Sequence, residues 1–452
     1  MNMSTYRGMS PAATDDYAIY PDAVMLAPEP VAAEQPTKAR RGQGVEFYKP
    51  FHYLLLVYLF FYCSRLSEFL PWFHVGLVLQ PILLIGMIMT GATKAIFRTD
   101  IGRVMTAFTV WVAICVPFSV WRGGSTAILI LAVQALLLLF FMASFIRTLD
   151  DCYRVIYVVA VAMAAVGMLS LVVGGGAAGS ARVGLGNQEY NTLGDANFLA
   201  LHLVIGLPFL WFSSTYKKGI AKVALILLVV PVLAGMARTG SRMGMLALML
   251  GMLVFLKFAS ASQRAFIIFG GFIGIMLALT LLPQKISERF TTIFHAGSAA
   301  ASAEAAMSAE SRKDMLMRSI EITLKHPLFG VGPGEFMDAE AQDAGLRGQR
   351  GMWHFTHNAY TELSSETGIP GMVIFLFAFY RSYKGLSRYR DRFPSLRVRR
   401  AALAIQIAVL VSAVGAFFLS IAYSGILYPV MGISAAFQLA AAKQFKLAKS
   451  QP

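Results

Sequence analysis

Apolar runs long enough to cross a bilayer recur along most of this chain. A helix needs about 20 such residues to span the ~30 Å hydrocarbon core, where every backbone polar group must be satisfied internally. Runs of this kind fall near 48–63, 72–91, 101–120, 124–146, 153–174, 194–213, 219–237, 240–258, 264–283, 370–388, 401–421 and 423–441. The first is short and poorly bounded, because Arg65, Glu68 and Pro71 interrupt the apolar pattern just beyond it. The pattern predicts an all-α polytopic membrane protein of about twelve transmembrane helices. Helices one to nine occupy 47–283, a large and mostly helical polar loop occupies 284–369, and helices ten to twelve occupy 370–442. Residues 1–46, rich in Ala, Pro and acidic side chains, read as a disordered cytoplasmic tail, and 443–452 as a second one. The stretch 23–33 is too short and too broken by proline for a signal-peptide core.

Within the polar loop, an Ala/Ser-rich run over 296–309 is open to either a helix or a flexible spacer. Ser311 with Asp314 predicts a helix start. Leu316, Ile320 and Leu324 predict that helix's packed apolar face, and Pro327 its end. A glycine-rich segment comes next, His326-Pro-Leu-Phe-Gly-Val-Gly-Pro-Gly-Glu-Phe336. Gly330, Gly332 and Gly334 either offer backbone N–H groups to an anionic or glycan ligand, or form a turn packed down by Leu328, Phe329 and Phe336; the second is the plainer expectation.

Composition supports the membrane assignment: the chain is 57% hydrophobic and 14% charged, with a mean hydropathy of +0.62. Charge then orients it. With both termini cytoplasmic, the inner side holds 26 of the 39 Lys and Arg residues, densest from Arg381 to Arg400. The short outer loops hold five: Arg65, Arg122, Arg182, Arg238 and Arg242. The remaining eight lie in the 284–369 loop, which is too long to count in the positive-inside rule. The net charge of +15 is thus a topology signal and not a nucleic-acid footprint. Cys63, Cys115 and Cys152 are scattered and suggest no disulfide framework.

The most informative pattern stands at the end of the polar loop, His357-Asn358, nine residues, then Gly368-Ile-Pro-Gly371. The charge asymmetry places it outside the cytoplasm. Together with Arg242-Met-Gly-Met-Leu246 and the His-Pro-Leu-Phe-Gly-Val-Gly segment, it resembles the O-antigen ligase and polymerase superfamily of bacterial envelope glycosyltransferases. The family's signature is His-[Asn/Ser/Gln]-x9-Gly-x-x-[Gly/Thr/Tyr], matched here at His357, Asn358, Gly368 and Gly371, and its second element is Arg-x3-Leu, matched from Arg242. Arg312 stands where the family has another functional arginine, in a looser local motif. The resemblance covers residues 185–380 best. It implies transfer of a glycan from undecaprenyl diphosphate to an acceptor hydroxyl at the periplasmic face of the inner membrane, inverting and without metal or cofactor. The residues agree on the metal, since the nearest ligand pair, His354 and His357, has no cysteine or acidic cluster beside it.

Such a reaction must remove a proton from the attacking hydroxyl and stabilise a departing diphosphate. A histidine titrating near neutrality suits the first demand, and general-base help is worth ~10²–10⁴ in rate. His357 either takes the proton or binds and polarises the acceptor. Arginine suits the second demand, because its planar fork grips phosphate oxygens at any relevant pH. Arg242 is the first candidate; Arg312 and Arg238 come after it. Arg238 and Arg242 share one face if the turn between them is helical; otherwise Arg238 is an interfacial anchor. Arg182 and Asn197 are candidate sugar or supporting groups, with Asp195 beside them as a helix cap. Glu362 either orients His357 or an arginine, together with Glu366, or the two are solvated helix charges. Trp353, Phe355 and Tyr360 flank the histidine as stacking platforms or as ordinary interface aromatics.

A transporter of lipid-linked glycans is the rival class. Its ionisable groups would be expected inside the spans, whereas here polar residues gather on one loop. Within the enzyme class, polymerisation of an exported polysaccharide is favoured over ligation to lipid A–core or protein on family prevalence alone. The expected partners are the undecaprenyl-diphosphate-linked glycan, an acceptor glycan and membrane lipids.

Overall fold

A computed structural model describes residues 47–69, 75–175, 182–185, 192–265, 267–271 and 299–449. The N-terminal tail, most of the span expected over 264–283 and the loop's first residues, 284–298, lie outside them. The described chain is helical: α1 Lys49–Ser64, α2 Leu66–Phe69, α3 Val75–Met89, α4 Asp100–Cys115, α5 Arg122–Phe145, α6 Leu149–Val172, α7 Ala196–Tyr216, α8 Gly219–Leu227, α9 Val229–Arg238 and α10 Arg242–Phe258. After short helical stretches over 261–265 and 267–271 come α11 Ala299–Lys325, α12 Phe336–Leu346, α13 Ala359–Arg392, α14 Leu396–Phe418 and α15 Leu427–Lys449. Among the described residues the one extended contact is an isolated bridge, Gly175 to Gly184.

Seven helical segments among these residues are long and apolar enough to cross a membrane: α4 to α7, the α8–α9 pair, α13 and α14. At the other expected spans, α1, α3 and α10 have 16, 15 and 17 residues and fall short of that length, while α15, at the span expected over 423–441, has 23 residues but is not among the seven. The last helix does not stop where the tail was expected at 443 but runs on to Lys449.

α7 and α14 are the most enclosed spans; they pack on one another, α7 also on α6 and α14 on α13. Gly415 of α14 lets the pair close up, since a Cβ there would sit 2.4 Å from Leu201. At one end of the bundle, α1 is stapled to α6 through Asp151, which accepts from Tyr48 Oη at 2.8 Å and lies 3.7 Å from His52 Nε2. The same Asp151 completes the capping box of α6 with Thr148. Arg381 pairs with Asp100 and Arg397 with Asp150 at this end, so the basic cluster read from the sequence is gathered there. His357 precedes α13 and Arg392 closes it. The helix from Ile369 to Arg392 is about 36 Å long at 1.5 Å per residue, enough to separate the two ends of the bundle by a bilayer core.

The loop helix departs from expectation in two ways. It runs through Ser311 instead of starting there, because the Ala-rich residues before it favour helix and carry it back to Ala299. Its buried face is also not Leu316, Ile320 and Leu324 but Met315, Ser319, Ile322 and Thr323. Met315 and Ile322 pack against Val331, Phe336 and Ala339, and Thr323 Oγ1 meets Ser364 Oγ of α13 at 2.8 Å. Pro327 ends the helix as expected, with Lys325 its last residue.

Candidate active site

The first signature glycine meets backbone with backbone. Gly368 has φ +72°, which breaks α13 into two helices, and a Cβ on it would lie 2.1 Å from the Leu328 carbonyl oxygen. One residue on, the Ile369 N–H donates to Pro327 O at 2.9 Å. Val331 and Gly332 donate to Ser365 O and Glu366 O at 2.9 and 3.0 Å. The glycine-rich segment is thereby laced along the end of the signature helix. Gly371, a turn below, would drive a Cβ into Thr367 Oγ1 at 2.0 Å.

This lacing decides between the two readings of the glycine-rich segment. Gly330 N–H donates to His326 O, Gly332 N–H to Glu366 O, and Gly334 N–H to Glu366 Oε2 at 2.8 Å. All three donors are spent inside the protein, and Phe329 stacks on Phe118 at 4.2 Å between ring centres. The segment is a packed turn.

Glu366 and Glu362 are both buried, which overturns the picture of solvated helix charges. Glu366 also accepts from Phe336 N–H at 3.4 Å, at the start of α12, and Glu362 accepts from Ala422 N–H at 3.2 Å. Each carboxylate therefore fastens a neighbouring loop to the signature helix. Together with Thr356, Phe355, Phe336 and Tyr423 they line a small cavity of about 90 Å³.

His357 sits at φ +53°, a left-handed conformation that costs a non-glycine residue ~1–2 kcal/mol. Its neighbours hold it there. Its backbone N–H donates to Ser420 Oγ at 2.9 Å, and Ser420 shares a 2.9 Å hydrogen bond with Thr356 Oγ1. Asn358 is the N-cap of α13, its side-chain oxygen accepting from Tyr360 and Thr361 N–H at 2.9 and 3.3 Å. Asn358 is thus a supporting residue. The His357 side chain is half-buried, and burial is the main force that pushes its pKa below the ordinary histidine value. The Arg312 guanidinium pushes in the same direction, against a smaller upward pull from Asp195. The imidazole is consequently neutral at pH 7, with a lone pair able to accept a proton.

Arg312 lies mid-helix, not at the opening of the loop helix, on the same side as the buried Met315 and Ser319. Its effect on His357 joins these two expected site residues electrostatically.

The remaining candidates meet at the start of α7 and the α9–α10 turn. Arg182 Nη2 donates to Asn197 Oδ1 at 2.8 Å, and Ser241 Oγ donates to the same oxygen at 2.8 Å. Arg182 Nε donates to Thr239 O at 3.1 Å. Arg182 and Asn197 therefore brace the turn that precedes Arg242. Asp195 caps α7 as expected, accepting from Asn197 and Phe198 N–H. The turn itself is not helical: Gly240 has φ +58° and Ser241 is extended, capping α10. Arg238 and Arg242 thus belong to separate helices. Arg238 Nη1 donates to Leu171 O at 3.2 Å, at the end of α6, a bracing contact. Arg242, the first residue of α10, is half-buried at the same end of the bundle as Asp195 and Asn197. Among the described residues no three His, Cys, Asp or Glu side chains group as metal ligands.

Residues 227–376, which hold Arg242, Arg312 and the whole His357 signature, match the family model described as O-antigen ligase. This domain match supports the O-antigen ligase and polymerase superfamily resemblance read from the sequence. No curated protein sequence matches it significantly. Among solved structures, a chain from a study of polymerization and crosslinking by a peptidoglycan synthase complex is similar at a TM-score of 0.43 and 14% identity, over 76% of this chain and 98% of that one. That likeness is too slight to carry an argument. The O-antigen ligase domain ends inside α13, just past Gly371, so the His357 to Gly371 signature and its glycine-rich strap lie wholly within it.

Ser420 and Thr356 escaped the sequence reading. Thr356 adjoins the signature, but Ser420 is 63 residues from His357 in a loop without any motif.

Proposed function

We propose that this protein transfers an undecaprenyl-diphosphate-linked glycan to an acceptor sugar hydroxyl at the periplasmic face of the bacterial inner membrane, polymerising an exported polysaccharide or O-antigen. The observation that carries the reading is His357, held in a strained backbone conformation, kept neutral by burial and lying within the field of Arg312. The acceptor hydroxyl oxygen attacks the anomeric carbon while its proton passes to the imidazole. The bond from that carbon to the diphosphate oxygen breaks with inversion, and the diphosphate leaves. Arg242 and Arg312 receive its growing charge through hydrogen bonds worth about 1.5–3 kcal/mol each. A single displacement of this kind uses no metal.

Ligation of the finished glycan to lipid A–core is the second reading, favoured by the description of the matched family as O-antigen ligase. The two separate on one experiment: deletion of the gene followed by sizing of the glycans. Single repeats bear out the polymerase, and long unattached chains the ligase. Trapping of the precursor on the cytoplasmic side sinks both in favour of a transporter.

A further inference from the structure

The loop helix α11 has three faces, and two are covered. Met315, Ser319, Ile322 and Thr323 are buried on the first. The second is charged, with Glu321 bonded to Arg347, the C-cap of α12, and Lys325 to Asp343 within α12. The third carries Met317, Ile320 and Leu324, which are 59%, 40% and 72% exposed. Spaced three and four apart, they form one apolar strip on which no described residue of this chain packs, with Lys313 one turn above them. Apolar strips of this kind mark interaction surfaces.

We infer that this strip of α11 is embedded in the headgroup and upper acyl region of the bilayer that α13 crosses. Continuity identifies the occupant. Past the helix, exposed Leu328 extends the row, and its carbonyl abuts Gly368 while Pro327 O receives the Ile369 N–H. From that junction a second exposed row, Ile369, Val373 and Leu376, runs down the membrane-crossing part of α13 at intervals of four and three. The apolar strip of the loop helix is therefore the upward continuation of a lipid-facing row. A helix with one apolar and one charged face lies in the plane of such an interface, and Lys313 reaches the headgroups along its own stem. The placement holds Arg312, one residue from Lys313, at the depth of lipid phosphates. The inference rests on the membrane assignment and not on the role of His357.

The test uses the full-length protein in phosphatidylethanolamine–phosphatidylglycerol nanodiscs. Ile320→Cys, Leu324→Cys and, on the charged flank, Asp314→Cys are each labelled with an environment-sensitive fluorophore. Native Cys63, Cys115 and Cys152 are buried and stay unlabelled, as the unsubstituted protein verifies. Lipid-borne nitroxide should quench positions 320 and 324 several-fold more than 314, and aqueous acrylamide should show the opposite order. Equal acrylamide quenching at all three positions overturns the inference, because the strip is then in water. Protection from both quenchers at 320 and 324 overturns it too, because a second copy or another protein then covers the strip.

Discussion

Ser420 Oγ accepts the backbone N–H of His357 at 2.9 Å, linking the signature to a loop 63 residues further along the chain. The contact holds a left-handed histidine in place, with Thr356 Oγ1 completing the set. Ser420→Ala leaves that N–H without its acceptor, a loss of about 1–3 kcal/mol in a buried setting. Glycan transfer by purified protein should fall roughly tenfold as His357 loses its fixed position, while the protein keeps its detergent-extracted monodispersity. Unchanged transfer would mean that the serine does not position the histidine.

The Arg312–His357 coupling has a definite sign. The active imidazole is neutral and its pKa is depressed, so activity should persist below pH 6.5 and disappear as the pH falls through the lowered value. Arg312→Gln removes one cause of the depression, leaving burial, His354 and the opposing Asp195. The acid limb of kcat/KM should therefore move to higher pH in that variant. A shift to lower pH, or no acid limb at all, contradicts the assignment.

Gly368→Ala combines a left-handed φ, costing about 1–2 kcal/mol, with a Cβ only 2.1 Å from the Leu328 carbonyl. The thermal midpoint of the purified protein should drop by more than for Gly345→Ala, a helical position where an added Cβ meets nothing. Equal midpoints would show that the strap along Pro327 and Leu328 yields freely.

Asn197 accepts from both Arg182 and Ser241. Asn197→Ala deprives two donors at once and loosens the turn ahead of Arg242, so affinity for the lipid-linked donor should weaken, read as a rise in its KM. Arg242→Lys should not restore the activity lost in Arg242→Ala, because an ammonium cannot reproduce the guanidinium's two-pronged grip on phosphate.

Much of this arrangement was legible in the sequence. The apolar runs anticipated the seven helical segments long and apolar enough to cross a membrane among the described residues, and the His357 signature pointed to the family that the domain match supports. Local patterning failed at α11, where Leu316, Ile320 and Leu324 do form an apolar face but Ser319 and Thr323 lie on the buried one. Periodicity identifies a stripe without saying what covers it, and beside a bilayer the more apolar stripe need not face protein. Burial of Glu362 and Glu366 was equally hidden, since their acceptor roles toward Ala422 and Gly334 depend on loops brought in by the tertiary fold. The glycines were informative in kind: Gly330 and Gly368 are required by a backbone approach that no side chain would tolerate.

The most direct measurement of the central claim is glycan transfer by His357→Ala and His357→Gln, with purified lipid-linked donor and acceptor. If His357 is the base, the rate should fall by roughly 10²–10⁴, with donor binding retained and with precursor still reaching the periplasm in cells. Wild-type rates from either variant would contradict that role.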